Sequence, residues 1–356
     1  MFLRYVSALC TAFSITRHLV QAVEGLLALL EKLSALVDEV DPIEQPMRFG
    51  NKAFRTWYTR VTESMTSMLQ SALPDSSTVP GSADMELQLR EGAAYLCDSF
   101  GNATRIDYGT GHETNFMLFL YVLRGSPPSP EDAPPSEADP VTPGGTQVLS
   151  DEAWLQQDDQ QALALRVFPQ YLRLCRKVQR RYMLEPAGSH GVWSLDDFQM
   201  LPFYFGSAQL KGSSSITPGD IHSSSVRSAN LQQYMYMEGI EYIHSVKTGA
   251  PFAEHSPLLN DLSLLPNWKR VNVNMRNLYV NEVLGKQPVT QHIQFGQCLQ
   301  CTWTPEVPAA AARAAGTNPS GSAGVMGVAP WAAAAASSAV QAPLPSHVGV
   351  APWARK

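Results

Sequence analysis

Apolar positions recur at helical spacing along the chain up to about residue 300. Over residues 20–38, Val20, Val23, Leu27, Leu30 and Val37 fall close to one stripe, with Glu24, Glu31 and Lys32 off it. Pro42 and Pro46 then break the pattern. From Asn51 to Leu73 it resumes, with Phe54, Trp57, Val61 and Met65 three or four apart, and Glu86 to Phe100 reads as a third helix. The run Phe116–Leu123 is apolar throughout and long enough for a buried helix. Residues 159–183 show the clearest two-faced pattern. Phe168, Tyr171, Leu172, Cys175, Val178 and Tyr182 make one side, and Arg173, Arg176, Lys177, Arg180 and Arg181 much of the other. Such a basic face is either solvated or the seat of an acidic partner. Pro169 inside this segment predicts a kink or a shifted start. Asn230–Lys247, with Tyr234, Met237, Ile240 and Ile243 on one side, and Asn272–Leu284 are the last helices predicted. Residues 211–227 are rich in Ser and Gly and read as a loop. Period-two alternation is nowhere sustained, so the fold class is all-α.

Two stretches cannot supply a packed core. Residues 125–147 are a Pro/Ser/acidic insertion with too little apolar surface to offset chain entropy, and a disordered surface segment is expected there. Residues 301–356 are Ala/Pro/Gly-rich and read as a low-complexity disordered tail, in which Gly327-Val-Ala-Pro-Trp-Ala332 returns as Gly349-Val-Ala-Pro-Trp-Ala354. Such a repeat is a docking ligand or drift in a biased segment.

Candidate chemistry concentrates in Arg105-Ile-Asp-Tyr-Gly-Thr-Gly-His-Glu113, which lies just before the apolar run. Glycines beside a helix start let backbone N–H groups approach an anion, and Arg105 can grip a phosphate or carboxylate through its planar fork. The Gly-Lys-Ser/Thr ending of a Walker loop and the third glycine of a dinucleotide fingerprint are both missing. The other reading is a glycine turn ahead of a buried helix. Glu185–Gln199 carries Pro186, Gly188 and Gly191, then Ser194 placed to cap a helix whose first turn holds Asp196 and Asp197. Those acids serve a helix dipole, or one of them faces a Mg²⁺ held partly by nucleotide phosphates. Glu254 and His255 are neighbours in sequence and so face different ways, which argues against a catalytic dyad. No nucleophile motif stands out, and no paired His or Cys spacing of a zinc site. Cys298-Leu-Gln-Cys301 has no second pair.

Four blocks in order resemble the phosphotyrosyl phosphatase activator family, the activators of protein phosphatase 2A. They are Gln45–Tyr58, Arg105–Glu113, Glu185–Gln199 and Pro251–Ser256, and the likeness runs over about residues 20–297. The resemblance implies a helical domain over 20–300, with core, lid and linker parts around a cleft. It implies an activator that binds the phosphatase catalytic subunit with ATP and Mg²⁺ and has peptidyl-prolyl cis/trans isomerase activity. The alternative is a non-catalytic scaffold or chaperone of that subunit. The family's nucleotide positions fall on Arg105, Thr110 and Gly111, and on Gln291 and His292 of Pro288-Val-Thr-Gln-His292. Its metal positions fall on Gly191, through the carbonyl, and Asp197. Its phosphatase-binding positions fall on Val192 and Glu254. Gln294 stands where some relatives have lysine, and Ala250 lengthens a turn that many relatives make with Gly-Pro. Trp193, Phe198, Phe203 and Tyr204 are either cleft or core aromatics. Residues 1–19 match the family's aromatic-rich first helix poorly and form a divergent segment.

Composition narrows the partners. A net charge of −6 argues against a general nucleic-acid surface. No apolar run approaches the ~18 residues of a membrane span. Five scattered cysteines suit a reducing compartment, and the cytoplasm, with the nucleus second, is the expected location. Arg4 and Arg17 without an acid before Glu24 read as a transit-like segment or as the remnant of a first helix. Proline-containing peptides are the expected small partners.

Overall fold

The computed structural model describes residues 19–46, 50–73, 83–123, 161–187, 199–247 and 249–299. The expected disordered segment 125–147, the expected tail 301–356 and the divergent residues 1–18 lie outside the described residues.

Three helices open the described chain: α1 (Leu19–Glu39), α2 (Ala53–Ala72) and α3 (Ala83–Asp98). On α1 the buried stripe is Val23, Leu26, Leu30, Leu33 and Val37, with Leu27 only half-buried beside it. α2 buries Phe54, Trp57, Val61, Met65 and Leu69, the predicted side extended by one turn. A two-residue strand, β1 (Asp107–Tyr108), leads into α4 (Thr110–Leu123), most of whose residues are buried. This explains its lack of a polar stripe, since a helix covered on all sides needs none.

After residue 160 the chain makes a π-helical turn, Leu163–Val167, and passes into α5 (Phe168–Tyr182). The amide of Phe168 donates five residues back to Leu163 O. That wider turn seats Pro169 in the first turn of α5, where a missing N–H and a bulky ring cost little. The apolar face of α5 meets α4 and α1. Phe116 stacks on Tyr171 at 3.7 Å and 8°, and Tyr182 donates to Val40 O at 3.0 Å. Each large apolar side chain so buried stabilises the fold by roughly 1.5–3 kcal/mol. Burial pushes the Cys97 and Cys175 thiols up to about 12, which leaves them protonated and inert.

Strand β2 (Glu185–Pro186) pairs in parallel with β1, a contact too short to leave a sequence pattern. Beyond it lie α6 (Leu201–Gln209), a 3₁₀ turn Pro218–His222, α7 (Ser224–Asn230), α8 (Met235–Val246), α9 (Phe252–His255) and α10 (Pro257–Ser263). Last come α11 (Trp268–Leu278), a π-helical turn Tyr279–Leu284 and α12 (Gln287–Thr290). The stretch 211–227 is thus not a plain loop. Thr217 and Asp220 form a capping box, and Ser223 accepts from Val226 N to start α7. α8 begins at Met235 rather than Asn230, because Tyr234 is extended and Gln209 Oε1 takes the Met235 amide at 2.9 Å. Asn267 caps α11 one turn ahead of the predicted start. No helix among the described residues is long and apolar enough to cross a membrane.

Candidate functional site

The Arg105–Glu113 stretch is a tightly braced loop set on the start of α4. Asn102 Oδ1 accepts from the amides of Thr104 and Arg105 at 3.0 and 2.9 Å. Arg55 on α2 donates to the carbonyls of Ala103 and Thr104, both at 2.9 Å. The first block therefore holds the loop of the second from below. Ile106 sits at φ +56°, rare for a β-branched residue, and its amide bonds Asn102 O at 2.7 Å. Such strain persists where neighbours over-determine the backbone.

Arg105 donates through Nε to Asp107 Oδ2 at 2.5 Å and keeps 45% of its side chain exposed. Burial pushes Asp107 up, but its interactions with His112 and Arg105 outweigh that and hold its carboxyl below the ordinary range. His112 is fixed by Nδ1 against Asp98 O at 2.7 Å, with Nε2 3.7 Å from Asp107. Glu113 is fully buried, and its Oε2 accepts from the amides of Met200 and Leu201 at 2.9 and 3.0 Å. His112 and Glu113, which look catalytic beside a glycine turn, hold backbone in place.

This bracing also organises the third block. Glu185 N donates to Ile106 O at 3.1 Å and Ala187 N to Tyr108 O at 2.7 Å. At the far end Glu113 holds Met200 and Leu201. Both flanks of 188–198 are therefore tied to the Arg105–Glu113 motif. Gly191, Val192, Trp193, Asp197 and Phe198 fall within that span and outside the described residues. Phe203 and Tyr204 are core residues, 0% and 2% exposed, and do not line a cleft.

The C-terminal strip reaches the same place. A Cβ on Gly111 would lie 3.2 Å from Val289 Cγ1, so α12 rests directly on the first turn of α4. Gln291 and His292 follow at the exposed end of α12. Beyond them Gln294 donates to Asp98 Oδ2 at 3.0 Å, its carbonyl accepts from Tyr95 OH at 2.6 Å, and Glu91 takes the amides of Gln297 and Cys298. Gln294 is thus engaged with α3.

The described part of the site suits an anionic ligand. Thr110 Oγ1 is buried without a hydrogen-bond partner. The amides of His112 and Glu113 already bond Gly109 O, at 2.9 and 3.2 Å, which leaves Thr110 and Gly111 at the end of α4 that carries partial positive charge. Arg105 adds a cation beside them. Among the described residues no three His, Cys, Asp or Glu side chains gather around a metal position.

The family model described as phosphotyrosyl phosphate activator (PTPA) protein matches residues 2–130 and 146–301. The chain belongs to the PTPA family. It is 39% identical over 279 residues to a serine/threonine-protein phosphatase 2A activator of Drosophila melanogaster, covering 78% of this chain and 61% of that protein. A probable serine/threonine-protein phosphatase 2A activator 1 of Dictyostelium discoideum is 36% identical over 278 residues, with 78% and 75% covered. The crystal structure of the PP2A phosphatase activator Ypa1 superposes with a TM-score of 0.63 at 30% identity, covering 82% of this chain and 84% of that one. The chain spans about three fifths of the Drosophila protein's length.

The PTPA-type Pro251–Ser256 block is built around a buried histidine. Glu254 is exposed on α9, while His255 is 1% exposed and bonds Ser256 Oγ through Nδ1 at 2.9 Å. Lys247, also buried, donates to His255 O at 3.0 Å. Burial first, then the charges of Lys247 and His244, hold the His255 imidazole down to about 4. The same block thus separates an exposed acid from a buried neutral base. Since the unfolded imidazole titrates near 6.5, the unfolded state binds the extra proton between these values. Stability from this residue is complete above pH 6.5 and is lost as pH falls toward 4. We expect urea unfolding to give about 1–3 kcal/mol less stability at pH 4.5 than at pH 7, with His255→Asn removing much of the difference. Equal pH dependence in the variant would rule out His255 as its source.

Proposed function

We propose that this chain activates a protein phosphatase 2A-type catalytic subunit by binding it together with ATP and Mg²⁺, in the cytoplasm and nucleus. The observation that carries the reading is the convergence of three blocks on one helix start. Arg105, Thr110 and Gly111 lie on the first wall. Gln291 and His292 stand beside it through α12, and the span holding Gly191 and Asp197 is tied to the same motif at both ends. In this reading Thr110 Oγ1 and the first amides of α4 hold phosphate oxygens, and Arg105 neutralises their charge. Gly191 O and Asp197 hold the metal, which offsets phosphate charge. Val192 and Glu254 meet the phosphatase.

Thr110→Val tests the ligand role directly. Loss of a buried hydroxyl that has no partner should leave stability unchanged within about 0.5 kcal/mol or raise it. It should weaken ATP–Mg²⁺ binding, measured calorimetrically with the catalytic subunit present, by about tenfold. Unchanged affinity removes Thr110 from the site.

Peptidyl-prolyl cis/trans isomerase activity on proline peptides belongs to the same proposal through the family likeness. The core positions of Phe203 and Tyr204 favour the second reading, a scaffold or chaperone of the catalytic subunit without turnover. A protease-coupled assay separates them: no acceleration at micromolar protein leaves the scaffold.

A further inference from the structure

The basic face of α5 takes no part in the site above, and the structure gives it a definite form. Arg173, Arg176, Lys177, Arg180 and Arg181 line an open trough of about 670 Å³, closed on its other side by Tyr242 of α8. Three carboxylates also line it, Asp38, Glu238 and Glu241, so five cations face three anions. A recess with net positive charge on a chain of net charge −6 makes a local attractive field for acidic groups.

The internal pairs leave part of that charge unspent. Lys177 pairs with Asp38 at 2.5 Å, and Arg181 with Asp41 at 2.7 Å. Glu241 pairs with Arg227 on α7 at 3.0 Å. Glu238 pairs with Arg176 at 3.0 Å, leaving Arg173 at 4.0 Å from the same oxygen and half-exposed. Arg180 lies 5.0 Å from the centre of the Tyr242 ring and bonds Ser245 Oγ, and among the described residues it has no carboxylate partner.

A second observation concerns the floor. Arg176 is 6% exposed, and its Nη2 is buried without an acceptor. Arg176 Nε donates to Gln199 Oε1 at 3.2 Å. Because a guanidinium only donates, that contact fixes the Gln199 amide and leaves its Nε2, also buried, without an acceptor. What this corner lacks is oxygen. A buried donor without an acceptor is unfavourable, so the guanidinium at the base of the trough is not satisfied from within.

We propose that the trough between α5 and α8 is a docking surface for an acidic segment of a partner protein. Arg173, Lys177 and Arg180 are spaced four and three apart and so form a row along one side of the helix, about 5–6 Å per step. An extended peptide sets same-side carboxylates at a comparable repeat, roughly 6.6–6.8 Å, and its carbonyls add acceptors along the row. A nucleic-acid backbone fits less well, because three carboxylates line the trough and the chain is acidic.

The test uses the full chain and a fluorescein-labelled peptide of alternating glutamate and serine, followed by fluorescence anisotropy. Binding should weaken as salt rises from about 50 to 200 mM. The Arg173→Glu/Arg180→Glu pair should weaken it at least about tenfold, and Arg180→Gln alone should weaken it less, in the same direction. Both positions are exposed, and a thermal melt matching the unaltered chain confirms an intact fold. Equal affinity for the same peptide with glutamine in place of glutamate, or for the double variant, overturns the proposal. So does complete displacement of the peptide by low-millimolar inorganic phosphate, which would make this a small-anion pocket.

Discussion

Glu113→Ala should be among the most damaging single substitutions in the described chain, costing about 3–5 kcal/mol. The carboxylate is fully buried in the first turn of α4 and accepts from Met200 N and Leu201 N at the start of α6. Met200 cannot cap that helix with its own side chain, so Glu113 supplies the missing acceptor from another element. One negative group meets the positive ends of two helices, which lowers the cost of burying it. Alanine leaves two buried amides without an acceptor and opens a cavity. Against a total stability of ordinarily 5–15 kcal/mol, this is a large share. Glu113→Gln keeps one acceptor oxygen and should cost about 1–2 kcal/mol. Urea unfolding followed by circular dichroism checks both. A cost below 1 kcal/mol for alanine would show that the carboxylate is not the cap described. Under the proposed function the damage goes further, because Glu113 holds the exit of the span carrying Gly191 and Asp197. Glu113→Gln should then lower ATP–Mg²⁺ affinity while the protein stays folded.

This role had no local signature. Glu113 stands beside a glycine turn and a histidine, which invites a catalytic assignment. What decides its role is a pair of amides 87 and 88 residues away. Arg55 is alike: it lies within the Gln45–Tyr58 block, but its partners at Ala103 and Thr104 lie 48 and 49 positions on. Long-range pairs of this kind leave no period in the sequence. The helices with one apolar face, α1, α2 and α5, were legible because burial on one side writes a 3.6-residue repeat. α4 was legible only as an apolar run. The 3₁₀ turn and α7 carry no apolar repeat of their own in a Ser- and Gly-rich stretch, and their one local signal is the capping box of Thr217-Pro-Gly-Asp220. β1 and β2 are two residues each, too short for alternation to register. Of the candidate site, Arg105 and the flanking glycines were legible as a turn open to two readings, an anion site or a glycine turn ahead of a buried helix, and Thr110 and Gly111 came from the family resemblance. That Gln291 and His292 stand beside them follows from α12 packing on Gly111, which only the fold supplies.

The loop that presents Arg105 depends on a backbone few residues can adopt, and Gly101→Ala is expected to break it. Gly101 lies at φ +116°, outside the region open to L side chains, and an added Cβ would stand 2.6 Å from Asp107 O. That oxygen belongs to rigid backbone and already accepts from Asn102 N at 3.0 Å. The methyl group therefore forces the Asn102–Asp107 bridge apart. Strain of about 1–2 kcal/mol adds to a lost hydrogen bond of about 1 kcal/mol, giving a loss of about 2–4 kcal/mol once packing of Ile106 is disturbed. Asp107 carries both the contact to Arg105 and, through its strand, the register with Glu185. Opening the bridge thus moves the cation and the start of the 188–198 span together. ATP–Mg²⁺ affinity should fall by at least about tenfold, more than for Thr110→Val, and with a lower melting temperature where Thr110→Val shows none. Hydrogen exchange locates the effect. Faster exchange at Asn102, Ile106 and Ala187, with α1 and α8 unchanged, is the expected pattern. Unchanged protection at all three amides would mean that the loop accommodates the methyl group and that its left-handed glycine is not what positions Arg105.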